Sequence, residues 1–110
     1  ANYHDSKIAY TSQLAHIVSN AYVKNKSVDN CGGFTGGSWQ DMTRVATLDP
    51  ALWTQLFFVN RKNLTEELEE LIGNLNDYLT ALKENDREKM KELLAEGSKK
   101  RRELKENKRV

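Results

Sequence analysis

The chain has 110 residues, 38% hydrophobic and 30% charged, and its 17 basic and 16 acidic side chains leave a net charge of +1. That length holds one domain with a modest core, and the near-balance of charge excludes a chain-wide field that would steer a polyanion or a membrane surface. One proline and six glycines exclude a turn-rich β architecture and leave room for long helices, so the expected class is all-α, with residues 1–110 forming a single helical domain.

From about His4 to Lys24, Tyr10, Leu14, Ile17 and Ala21 recur at the spacing of one helical face, with Ile8 and Val18 beside it. The spacing predicts an amphipathic helix buried along that face. Its other side groups Ser12, Gln13, His16, Ser19 and Asn20, none fully charged at neutral pH. Solvated faces carry Lys and Glu, so a neutral polar cluster forms either the wall of a partly buried polar cavity or a helix–helix contact with satisfied polar groups.

Residues 25–37 are rich in Asn, Ser, Asp and Gly and read as a loop. Ser38 is the expected N-cap of a short helix from about Trp39 to Thr47, with Asp41 completing a capping box. Gly36 and Gly37 ahead of it expose backbone N–H groups, a setting that suits an anion. Gln40 and Arg44 stand one turn apart, so an amide and a guanidinium fork can converge on one carboxylate.

Asp49-Pro50 is a second helix start, an N-cap with proline in the first turn. The stripe Leu52, Leu56, Val59, Leu64, Leu68, Leu71, Leu75, Leu79 and Leu82 then persists to about Lys83. At 1.5 Å per residue such a helix runs roughly 50 Å, too long for so small a domain unless it bends, breaks or packs on a second copy of the chain. Asn85 with Glu88 suggests another capping box, opening a last helix that fades into KKRRELKENKR. From Lys83 to Val110 there are 11 basic and 7 acidic residues, a net of +4. The acids are interspersed and no aromatic accompanies them, so this end reads as a solvated helix end and nucleic acid is not an expected partner.

No Walker-type GxxxxGK[ST] or strand-borne GxGxxG is present, which removes nucleotide binding by those motifs. His4 and His16 lie about 120° apart around one helix and Cys31 has no neighbouring ligand, so no metal is expected. No Cys-His or Ser-His-Asp spacing supports nucleophilic catalysis. Cys31 alone excludes an internal disulfide, and no apolar run approaches the roughly 20 residues of a membrane span, so the expected compartment is the cytoplasm with no membrane contact.

HDSKIAYTSQLAHIVSNAYV, GGSWQDMTRVATLDPALW and FVNRKNL, in that order, resemble the C-terminal helical domain of prephenate dehydrogenase, over roughly residues 4–104. The resemblance implies a parent enzyme of tyrosine biosynthesis that converts prephenate oxidatively to 4-hydroxyphenylpyruvate and carbon dioxide. NAD and the catalytic histidine would belong to an N-terminal Rossmann domain not present here, so no catalytic residue is expected in this chain, and alone it should be inactive. The domain would bind substrate and form a homodimer through long helices. By the same resemblance Arg44 holds a prephenate carboxylate, and His16 lies in the pocket. Gly36 and Gly37 form the nearby loop, Gln40 sits where a lysine is common, and Trp53 stands at the pocket edge. In SQLAH, Gln13 and Ala15 replace the His and Pro of the family's SHLPH-like segment. Arogenate is the alternative substrate, and a non-enzymatic helical interaction module the alternative class.

Overall fold

A computed structural model describes residues 2–106, all of whose regular elements are helical. They are α1 (Asn2–Ile8), a π-turn (Ala9–Gln13), α2 (Leu14–Tyr22), a 3₁₀ turn (Lys26–Asn30), α3 (Gly37–Thr43), α4 (Pro50–Val59), α5 (Arg61–Lys83) and α6 (Arg87–Glu106). Contacts divide the chain into two compact units, Ala1–Glu69 and Glu70–Val110.

In the first unit, α1, the π-turn and α2 follow one another without a break, as the periodicity predicts, but the buried face differs from the expected one. Leu14 is buried and Ile17 half-buried, whereas Tyr10 is 62% exposed and Ala21 also faces solvent. The cause is the π-turn, in which the Leu14 N–H reaches back five residues to Ala9 O. The inserted residue rotates everything before it relative to α2, so no single stripe at ~100° per residue describes both halves. What turns inward is the neutral polar cluster: Gln13 and Ser19 are buried, and Ser12, His16 and Asn20 half-buried.

The loop holds one position that demands glycine. Phe34 N–H donates to Cys31 O at 2.9 Å, closing a turn in which Gly33 has φ 87. An L side chain is strained there. Helix α3 then starts earlier than expected, with Gly36 as its N-cap and Ser38 already inside the helix, and it ends at Thr43 rather than Thr47. The Ser38–Asp41 capping box does not form. Asp is one methylene shorter than the Glu that closes such a box, and Asp41 pairs with Arg44 instead.

Asp49 caps α4 as predicted, its Oδ2 accepting from Leu52 N–H at 3.4 Å with Pro50 in the first turn. Of the outcomes expected for the long stripe over residues 50–83, a break is the one observed: it falls at Asn60, whose backbone leaves the helical region at φ −108, ψ 27. The Asn60 Nδ2 donates to Asp5 O at 2.8 Å and to Gln13 Oε1 at 2.7 Å, and its Oδ1 accepts from Asn63 Nδ2 at 2.9 Å. Gln13 Nε2 in turn donates to Leu56 O at 3.3 Å, meeting a carbonyl at the frayed end of α4. The break is thus held by the side chains of Asn60, of Gln13 from the π-turn and of Asn63 from α5.

In the second unit, the part of α5 from Glu70 onward and α6 form a helical hairpin joined by a Schellman turn. Asn85 takes φ 54, Asn85 N–H donates to Leu82 O at 3.2 Å and Asp86 N–H to Ala81 O at 2.8 Å. Asn85 therefore ends α5 and does not cap α6. The cap is Asp86, whose Oδ1 accepts from Lys89 N–H at 3.0 Å. Ala81 and Leu93 are buried between the helices, while Ile72, Leu75, Leu79 and Leu82 stay exposed, Leu82 at 69%. The basic stretch continues α6 as helix to Glu106, and the last four residues of the charged end lie outside the described residues.

Candidate functional site

Gln13 at the end of the π-turn and His16 and Asn20 on α2 follow one turn after another on the side turned toward the rest of the first unit. His16 Nδ1 lies 2.8 Å from Ser12 O. A carbonyl only accepts, so the ring proton sits on Nδ1, and Nε2 of the neutral ring is an acceptor. The imidazole stacks on Trp53 with centroids 4.4 Å apart and planes at 23°, and Trp53 tilts against Phe57 at 5.7 Å. The two sequence-predicted residues on different helices therefore meet. The stack fixes the imidazole plane and leaves its edge as the reactive part.

Gln13 sits differently from a ligand-facing residue. It is 7% exposed, and both ends of its amide are spent on Leu56 and Asn60. At its position in the cluster the helix–helix contact is the reading the geometry carries. Ser19 Oγ, in a residue 2% exposed, has no hydrogen-bond partner among the described residues.

Arg44 is the C-cap of α3, where a cation also complements the negative helix end. Its Nη1 lies 3.4 Å from Asp41 Oδ1, with the two side chains 74% and 78% exposed. An exposed pair at that distance is worth about 1 kcal/mol at most, so an incoming carboxylate can displace Asp41 at little cost. Gln40 stands one turn before Arg44, also exposed. Gly36 and Gly37 lie at the opposite end of α3, seven residues or ~10 Å along the axis from Arg44. One carboxylate cannot meet both ends. An alanine Cβ at either glycine would meet nothing within 4 Å.

Two asparagines tie these pieces together: Asn20, from the neutral cluster on α2, and Asn60, which sequence reasoning missed. Asn20 Nδ2 donates to Ala46 O at 2.9 Å, joining α2 to the turn just after Arg44, and Asn60 holds Gln13. Neither partner is readable from periodicity, since an asparagine inside a helical pattern carries no mark of the distant group it bonds. Among the described residues no three His, Cys, Asp or Glu side chains group to hold a metal, and no helix is long and apolar enough to cross a membrane. A dinucleotide-binding βαβ unit needs strands, and the described residues have none, so they do not fit NAD.

Comparison with known proteins bears on most of the chain. Residues 1–96 match the family model described as prephenate dehydrogenase, dimerization domain. A cyclohexadienyl dehydrogenase of Zymomonas mobilis subsp. mobilis is 31% identical over 111 residues, covering 96% of this chain and 38% of that protein. A prephenate dehydrogenase of Bacillus subtilis is 25% identical over 92 residues, covering 79% of this chain and 25% of that protein. The crystal structure of Synechocystis arogenate dehydrogenase superposes with a TM-score of 0.78 at 22% identity, over 92% of this chain and 39% of that one, and so shares the fold. The chain thus spans well under half the length of these relatives, and it belongs to the family of prephenate dehydrogenase dimerization domains.

Proposed function

We propose that this chain is the substrate-binding and dimerisation half of an NAD-dependent prephenate dehydrogenase, a cytoplasmic homodimer that acts in tyrosine biosynthesis. The observation that carries the reading is Arg44, an exposed guanidinium whose one ion pair among the described residues is a loose one with Asp41, in a chain that matches the prephenate dehydrogenase dimerization domain. Prephenate is a dicarboxylate. Arg44 takes one carboxylate as a bidentate fork, with the Gln40 amide beside it, and His16 offers Nε2 from its stack on Trp53. Gly36 and Gly37 leave open space at the other end of α3 for the substrate's approach.

These residues orient the substrate, while hydride transfer to NAD belongs to a Rossmann domain elsewhere in the parent protein. Dimerisation covers the apolar residues that each unit leaves in water: Leu52, Leu56, Phe58 and Val59 in the first, Ile72, Leu75, Leu79 and Leu82 in the second.

Steady-state kinetics of the full-length protein test the assignment. Arg44→Ala removes a charge-assisted fork, a loss of ~2–5 kcal/mol, and should raise the KM for prephenate at least about 30-fold while sparing the KM for NAD. Unchanged prephenate kinetics would sink it.

A further inference from the structure

We infer that Asn20 is a positioning residue for Arg44, an inference that rests on the reading of Arg44 as the carboxylate anchor. Asn20 lies one turn beyond His16 on α2, half-buried, and its Nδ2 donates to Ala46 O at 2.9 Å. The N–H of Ala46 donates to Thr43 O at 3.0 Å. Ala46 is thus held through both its N–H and its carbonyl, two residues past Arg44. The turn that carries the guanidinium has one fixed point on its own helix and one on the helix of His16.

Helix α3 is seven residues long, too short to hold its end by intrinsic propensity. The tether from α2 therefore sets where Arg44 stands relative to the His16 edge. Gln13 does the parallel thing on the other side of His16, its Nε2 reaching Leu56 O one turn past Trp53. His16 is flanked, one turn before and one turn after, by amides that fix the segments bearing Trp53 and Arg44. The chemistry selects an amide at residue 20. Ala46 O requires a donor, a carboxylate cannot donate, and an aliphatic side chain would leave the carbonyl unpaired.

The test is a double-mutant cycle in the full-length protein, reading KM and kcat for prephenate and KM for NAD in wild type, Asn20→Leu, Arg44→Ala and the double variant. Asn20→Leu should raise the prephenate KM about 2- to 10-fold, with kcat and the NAD KM close to wild type. In the Arg44→Ala background the same change should raise it less than about 2-fold, because the group it positions is gone. An equal factor in both backgrounds, or no effect in either, overturns the inference while leaving Arg44 in place. If Arg44→Ala itself leaves the prephenate KM unchanged, the anchor reading fails, and the inference with it. Where Asn20→Leu does not fold, Asn20→Ser, whose hydroxyl stops short of Ala46 O, is put through the same cycle with the same outcomes.

Discussion

Asn60→Ala tests whether the break between α4 and α5 is held by its side chain. The substitution removes three hydrogen bonds, to Asp5 O at 2.8 Å, to Gln13 Oε1 at 2.7 Å and from Asn63 Nδ2 at 2.9 Å. The Asp5 and Asn63 bonds sit where water can replace them and contribute about 0.5 kcal/mol each, the lower end of the usual range. The Gln13 bond is different. Gln13 is 7% exposed, so its Oε1 would be left without a partner, a cost of about 1–3 kcal/mol.

The sum is about 2–4 kcal/mol of local stability, or roughly 30- to 1000-fold faster opening. Hydrogen-exchange mass spectrometry on the protein that carries this chain reads this directly, in peptides spanning residues 56–64. Faster exchange should be confined to that junction and to the π-turn that donates Gln13. In the Gln13→Leu background the effect of Asn60→Ala should shrink to about 1 kcal/mol, since the buried orphan no longer exists. Exchange within about 2-fold of wild type at the junction, a difference of less than about 0.5 kcal/mol, would refute the reasoning.

Gly33→Ala should lower stability by about 1 kcal/mol because φ 87 is strained for any L side chain, whereas Gly36→Ala, with open space and an extended backbone, should cost less than about 0.5 kcal/mol; thermal melts of the two variants side by side check the contrast. Leu79→Lys places a charge on a position that is already exposed within the chain, so helical content by circular dichroism should hold. Sedimentation equilibrium should nonetheless show self-association weakened at least about 10-fold, as expected for a charge placed in an apolar interface.

The start of α4 and the helical run of the first segment were legible because their signals are local. Asp49-Pro50 needs only its own side chain and the N–H of Leu52, and the run from α1 to α2 needs only spacing. The π-turn was not legible, and the length of the stripe called for a bend, a break or a second copy without placing a break at Asn60. Two of the three partners that satisfy Asn60 lie 47 and 55 positions away in the chain, and no local pattern encodes them. The same holds in the site. The neutral character of Ser12, Gln13, His16, Ser19 and Asn20 marked that face of α2 as inward, but only the fold shows which amides are consumed by carbonyls and that His16 meets Trp53. Ser38 and Asn85 misled for a related reason. Each is a good cap by type, yet a flexible Gly36 and a neighbouring Asp86 took the capping positions.

The most direct test of a substrate site at Arg44, His16 and Trp53 is fluorescence of Trp53 during prephenate titration, in a full-length protein whose other tryptophans, Trp39 included, are replaced by Phe, without NAD. Prephenate bound at Arg44 should change the environment of the His16–Trp53 stack, giving a saturable signal. Arg44→Ala should shift its midpoint at least about 30-fold higher. A flat response at concentrations that saturate turnover, or an identical titration in Arg44→Ala, would contradict the site.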